Sequence, residues 1–449
     1  MTNRVESTVP PIPAAKPPRL ASLDALRGFD IFLLIFLDQI AHVFERGPGW
    51  ALAEGTEMWR AIWRGFDWVT LGFFDTQILA EKSRVFFAAA MEQTYHTPWN
   101  SGFSVLDLIM PLFLFMAGAA IPFALAKYLS GERKRTCALW VRITRRVVVL
   151  WIFGMCVQGN LLSLDSRQFK LYSNTLQAIA TGYLFSCIAY LYLPRLGRYA
   201  LFVALLAAFW CINEFCGLNG CGLGSYEPNT NIAYEIDRVV LGRFRDRATL
   251  GANGVVEFNS GYHYTWLLSS LTFVATTLSG MFAGEFLYDA RKKLGTVAED
   301  KKKERRGIQY QAFVTLLFFG IAFVVLGKLW GMIPEGKPGY CPIIKYIWTP
   351  SMVLYSSGLS ILLLAIFYLV YDIWNWRLFR TFLIVWGVNA IAAYMLSHLV
   401  HYGEFAGWFI YGLERFVGDW QETINYLVGA ALLWLYLWGF WRRGKFLRV

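Results

Sequence analysis

The sequence predicts an all-α, polytopic transmembrane bundle of about ten helices, and three observations carry that expectation. Of 449 residues, 56% are hydrophobic and 17% aromatic against only 16% charged, and the mean hydropathy is +0.42. Soluble domains are about one quarter charged. The apolar runs are each about 20 residues long, the length a helix rising about 1.5 Å per residue needs to cross roughly 30 Å of hydrocarbon. Barrel-type alternation of apolar and polar residues is absent, so the spans read as helices.

Residues 1–18 are polar and rich in proline, with Pro10, Pro11, Pro13, Pro17 and Pro18. They hold no short apolar core before a cleavage site, so a disordered cytoplasmic tail is expected, with the first span as an uncleaved insertion signal. The rest, 19–449, reads as one transmembrane domain. Spans are predicted over 28–45, 104–127, 139–158, 174–193, 198–216, 264–287, 311–330, 351–373, 379–400 and 423–441. An even number puts both termini on one side. With that side cytoplasmic, most of the 42 Lys and Arg residues fall inside, in runs such as Lys127–Arg146, Arg291–Arg306 and Arg442–Arg448, as the positive-inside rule favours.

Two long extracytoplasmic loops follow. Residues 46–103 carry Trp50, Trp59, Trp63, Trp68 and Trp99 and are expected along the membrane interface. Residues 217–263 read as a polar Gly/Asn loop, and 401–422 as a shorter one. The net charge of +11 clusters between spans, which assigns it to topology and the lipid bilayer rather than to nucleic acid. Seven cysteines fit no metal spacing. Cys216 and Cys221 flank the turn Gly217-Leu218-Asn219-Gly220, where an oxidising compartment would permit a disulfide.

Polar residues inside apolar spans are costly, so each poses a functional question. His96 sits just outside the second span beside Trp99 and Asn100, with Asp107 a little further on. Asp38 near the outer end of the first span has the same expected depth and could orient an imidazole as general base, or cap its helix. At the cytoplasmic mouth, Ser22 offers a helix cap, Asp24 and Arg27 are three apart, and Arg142, Arg145 and Arg146 share one face of the third span. Guanidinium groups there suit phosphate, or serve as snorkelling anchors. Asn174 and Gln177 in the fourth span, and Asn389, Tyr394 and His398 in the ninth, are ligand candidates or bridges between helices. The five histidines lack metal-ligand spacing, and no nucleophile elbow, phosphate loop or dinucleotide fingerprint occurs.

Two blocks carry a family likeness. Arg19-Leu20-x-Ser22-Leu23-Asp24-x-x-Arg27-Gly28 opens the first span. His96-x-x-Trp99-Asn100-x-Gly102-x-x-x-x-Asp107-Leu108-x-x-Pro111-x-Phe113-x-Phe115-x-x-Gly118 opens the second. Together they resemble the heparan-α-glucosaminide N-acetyltransferase family, and Leu176-Gln177, Trp348-Thr349-Pro350-Ser351 and the Asn389–His398 stretch are similar too.

The resemblance implies a membrane acetyltransferase, dimeric as the family is, that takes acetyl-CoA from the cytoplasm and acetylates an amino sugar on the opposite face. The family's catalytic histidine maps onto His96, and Asp38 stands where an amide is found in that family. Leu171 beside Lys170, and Ala178 after Gln177, replace basic residues usual there. On this reading Arg27, Arg145, Arg146, Asn174 and Gln177 bind CoA, while Trp99, Asn100, Asn389 and His398 hold the sugar. A secondary transporter or flippase that relays protons through its intramembrane Asp and His residues is the alternative, although no pair of matching broken helices stands out in the sequence.

Overall fold

The computed structural model describes residues 20–37, 99, 103–131, 135–165, 167–246, 248–250, 256–258, 264–298, 300–400, 402–413, 415 and 421–444. Helices dominate. In chain order they are α1 (Ala21–Phe32, continuing as a π-helical turn Leu33–Leu37), α2 (Ile109–Ala119, entered through the 3-10 turn Leu106–Leu108), α3 (Ile121–Leu129), α4 (Cys137–Val157), α5 (Thr175–Tyr192) and α6 (Arg195–Phe215). Then come α7 (Ile232–Leu241), α8 (Ser269–Thr296), α9 (Lys302–Gly331), α10 (Pro350–Phe367, continuing as a π-helical turn Tyr368–Ile373), α11 (Arg380–Val388), α12 (Ala390–Leu399), α13 (Tyr402–Ile410) and α14 (Gln421–Arg442). Two small antiparallel hairpins pair β1 (Gly217–Leu218) with β2 (Cys221–Gly222), and β3 (Ala248–Leu250) with β4 (Val256–Phe258).

Each predicted span overlaps a helix. Among the described residues, five stretches are long and apolar enough to cross a membrane: Leu106–Leu129, Arg195–Phe215, Lys302–Gly331, Pro350–Ile373 and Ile424–Arg442. A sixth arises if α11 and α12, bent by 74°, count as one span. The protein is therefore a polytopic helical membrane protein. The expected ninth span is not one straight helix but breaks at Asn389, whose backbone leaves the helical region at φ −109° and ψ 25°. The remaining helices are shorter or more polar: α4 carries Arg142, Arg145 and Arg146, and α8 is studded with hydroxyls.

The centre of the bundle is α8, packed by α2, α3, α5, α6, α9 and α10. Its hydroxyls are absorbed by the helix itself: Thr276 donates to the Thr272 carbonyl at 2.9 Å and Thr277 to that of Phe273 at 3.0 Å. This local bonding hides polar groups that hydrocarbon would otherwise penalise. Ser279 then reaches Ser357 of α10 at 2.9 Å, and the Trp348 indole donates to Thr276 at 3.0 Å. Against α2 the backbones touch, because a Cβ on Gly118 would overlap the Thr277 carbonyl and one on Gly280 the Phe115 carbonyl. Small residues permit that approach.

The α1–α11 crossing uses the same device through Gly28 and Gly387. The start of α1 is capped from a distant helix end: the Asp372 carboxylate accepts from the Ala21 and Ser22 amides at 3.1 and 3.0 Å. Asp372, not Ser22, thus satisfies the first-turn donors.

Two expected loops carry structure. Residues 217–263 hold α7 and both hairpins, because Asn231 caps α7 by accepting from Tyr234 at 2.8 Å. Within 401–422, α13 packs on α14, and the Tyr402 hydroxyl donates to the Ile35 carbonyl at 2.8 Å. Cys216 and Cys221 are free thiols. The hairpin register explains why: Leu218 stands opposite Cys221, while Cys216 bonds to Leu223. Residues 1–19 and 38–98, including the expected tail and most of the Trp-rich loop, lie outside the described residues.

Leucine at Gly280 would drive a side chain into backbone that cannot yield, a cost of about 3 kcal/mol or more. We expect Gly280→Leu to abolish the monodisperse folded peak in detergent. Gly295→Ala, with nothing within 4 Å of the new carbon, should melt like the parent.

Candidate functional site

Leu33 packs against Leu106 and Ile109, so the last turns of α1 meet the entry to α2. His96, Asp38 and Asn100 themselves lie outside the described residues. Asp38 follows Leu37 directly, and His96 is three residues before Trp99, which is described.

Trp99 is held from two sides. Its indole N–H donates to the Tyr226 carbonyl at 2.9 Å, and its ring stacks on Tyr346 with centroids 5.5 Å apart at 14°. The face of Tyr346 also meets Lys345, whose ammonium lies 4.8 Å from the ring centroid. Lys345 forms a buried ion pair with Asp107, their side chains 4% and 0% exposed. The second Asp107 oxygen accepts the Ser104 amide at 2.9 Å, and the Ser104 hydroxyl receives the Asp107 amide at 3.4 Å. This is a capping-box arrangement with Asp in the place of Glu.

The loop before α10 fixes Lys345 and Tyr346. Thr349 accepts the Ile344 amide at 3.1 Å and donates to the Pro342 carbonyl at 2.7 Å, and Ser351 donates to the same carbonyl at 2.9 Å. Thr265 ties the loop to the start of α8 by donating its amide to the Tyr346 carbonyl at 2.9 Å. Sequence reasoning quoted Asp107 and the Trp348–Ser351 motif but missed Lys345. Its partner is 238 residues away, and no local pattern announces such a pair.

The other sequence-predicted residues fall into separate places. Asn174 and Gln177 form the capping box of α5. Gln177 accepts the Ser173 and Asn174 amides at 2.8 and 3.1 Å and donates to the Leu171 carbonyl at 2.7 Å. Asn174 accepts from Leu176 and donates to Gln158 and to the Tyr394 hydroxyl at 3.0 Å. These amides therefore order the entry of α5. Asn389 is buried at the α11–α12 break, and the His398 ring lies 4.3 Å from that of Tyr394.

Arg27 pairs with Asp24 at 3.7 Å. Arg145 is exposed, and Arg146 covers the ring of Tyr183 at 4.4 Å. Since α4 packs mainly on α5 and α1 mainly on α11, Arg27 is not gathered with the other two.

Two acids went unremarked in the sequence. Asp30 is fully buried in α1, and neither carboxylate oxygen has a hydrogen-bond partner among the described residues. Its place inside an apolar span was a legible signal. Asp237 of α7 accepts the Trp266 and Leu267 amides at 2.7 and 3.0 Å and so fastens α7 to the start of α8. Burial pushes the Asp237 carboxyl up to about 6, against the backbone hydrogen bonds and the Arg245 charge, which favour the anion.

Two outcomes follow. Removing either member of the Asp107–Lys345 pair strands a buried charge, so Asp107→Asn and Lys345→Met should each destabilise by about 3–5 kcal/mol, and the double variant by less than their sum. Detergent melting curves measure this; additive losses would mean the charges do not interact. For Asp237, the folded carboxyl holds its proton to a higher pH than an unfolded one at about 3.9. The native state thus binds more protons between about pH 4 and 6, and stability falls by up to about 3 kcal/mol as pH rises through that window. Asp237→Asn should lose this slope, and superimposable profiles would exclude Asp237 as its source.

A family model for a domain of unknown function, DUF5009, matches residues 86–194. That stretch runs from before His96 through the end of α5. A comparison with curated proteins gave no match.

Proposed function

We propose that the protein is a ten-span membrane acetyltransferase that moves an acetyl group from cytoplasmic acetyl-CoA to an amino sugar of a heparan- or glucosamine-type glycan on the far side. The observation that carries this reading is the meeting of the α1 end with the α2 entry beside Trp99 and the Asp107–Lys345 pair. Chain connectivity keeps His96 within about 11 Å of Trp99, and Asp38 about 4 Å from Leu37, measured between Cα atoms. On this reading the imidazole and the carboxylate that orients it work together at that end of the bundle.

In the reaction the amine nitrogen attacks the thioester carbon, the C–N bond forms and the C–S bond breaks. His96 takes the proton lost by the amine and passes it to the departing CoA sulfur, which leaves as the thiol; Asp38 orients the ring, and Asn100 donates to the carbonyl oxygen as charge builds there. Trp99 offers the sugar an indole to pack against, with Asn389 and His398 as further acceptor contacts. Arg145 and Arg146 on α4, and Arg27 apart from them on α1, meet different phosphates of CoA as the cofactor approaches, while Asn174 and Gln177 keep the entry of α5 in shape for it. The protein works as a homodimer in a bacterial inner membrane, with both termini cytoplasmic and the site open to the periplasm.

One observation favours the transporter reading: the 74° break at Asn389 resembles the discontinuous helices that bind transported solutes. Purified protein with labelled acetyl-CoA and glucosamine separates the two. Acetylated sugar is expected, and His96→Ala should reduce turnover by about 10²–10⁴-fold with CoA binding retained. Asp38→Asn should lose less, since an amide can still orient the ring. Saturable sugar binding without product, or full turnover by His96→Ala, would overturn the enzyme reading.

A further inference from the structure

A polar cavity of about 440 Å³ opens between the C-terminal parts of α3, α5 and α8 and the first turn of α6. Its lining sets Arg195, Arg198 and Lys292 against Glu285 and Asp289, with Tyr190 and Tyr288 on its walls. Positive charge is in excess. None of these side chains belongs to the set chosen for the acetyl-transfer reading.

The two arginines are held very differently. Arg198 is only 5% exposed. It pairs with Glu285, donates its Nε to the Leu193 carbonyl at 3.1 Å, and lies 4.8 Å from the Tyr190 ring centroid. It is a fixed floor. Arg195 pairs with Asp289 at 2.7 Å, but the two side chains are 59% and 40% exposed. A pair so open to water contributes little, and its guanidinium can turn to a better acceptor. Lys292 is exposed at the rim. Beside it α6 begins without a side-chain cap, which leaves the positive end of a 21-residue helix uncovered.

A rigid cation beneath a solvent-open guanidinium and an ammonium, at the basic end of a helical bundle, suits an oxyanion with several acceptor oxygens. We propose that this cavity binds a phosphate ester, gripped by Arg195 and Lys292 above the Arg198–Glu285 pair. Two sources share that chemistry. One is an anionic phospholipid headgroup, for which basic pockets between membrane helices are suited. The other is a phosphate of CoA, and only that source rests on the acetyl-transfer reading.

The test uses full-length protein in phosphatidylcholine nanodiscs, with CoA binding read by calorimetry and phosphatidylglycerol retention by native mass spectrometry. Arg195→Gln/Lys292→Gln changes only side chains open to solvent, and size exclusion checks its fold. Lys303→Gln/Arg306→Gln, two exposed cations of α9 outside the lining, controls for general charge. The lining variant should weaken one probe by about tenfold or more, and the control by less than about twofold. Loss of CoA assigns the site to the nucleotide, and loss of phosphatidylglycerol assigns it to lipid; either supports the site. Retention of both probes within about twofold by the lining variant, or an equal loss in the control, overturns it. Because binding is read without turnover, a negative result here is distinct from a failure to acetylate.

Discussion

Backbone contact between α2 and α8 is the constraint on which the other packing depends. Gly118, Gly280 and Gly284 remove the side chains that would hold the two helices apart, and in lipid, where apolar surface gains little from leaving solvent, such close approach is a main source of helix association. With α2 seated, the rest of the α8 surface is shared by α5, α6 and α10, and α5 packs on α2 as well. Thr276 and Ser279 then have neighbours within reach, Trp348 and Ser357. The hydroxyls that lower the hydropathy of α8 are thus the groups that fix its register against the loop and helix on its far side.

The same two features explain what the sequence disclosed and what it hid. Long apolar runs of helix length announced the polytopic class, and Gly or Pro punctuation located most helix ends. The span count was less legible. Thr276, Thr277 and Ser279 lower the hydropathy of α8, although they bond within it, and the three arginines lower that of α4. The break at Asn389 has no proline to announce it. Asn231 was a legible cap for α7, but a stretch rich in Gly and Asn reads first as loop. Lys345 and Asp107, or Arg198 and Glu285, come together only through the fold, so no local spacing could reveal them.

Those two ion pairs stand at different places and do comparable structural work. Asp107–Lys345 ties the entry of α2 to the loop before α10, and Arg198–Glu285 ties the start of α6 to the C-terminal half of α8. Taking both charges of a pair out of water costs several kcal/mol per ion by order of magnitude, so neither pair is a large net stabiliser compared with apolar packing. What each does is penalise every register in which one partner is buried alone. In a bundle whose apolar faces are nearly interchangeable, that penalty selects which helix ends sit side by side.

The selection has a chemical consequence at each end. Lys345 cannot leave Asp107 without stranding it, so Tyr346 stays fixed as the platform under Trp99, and the chain leading back to His96 starts from a rigid point. Arg198 likewise cannot leave Glu285, whereas Arg195, on the same first turn of α6, is bound only by an open pair. One turn of helix therefore presents a locked cation and one held only by a solvent-open pair to the same cavity. An arrangement that merely anchored the helix to the membrane surface would need neither the burial of Arg198 nor the polar cavity beside it.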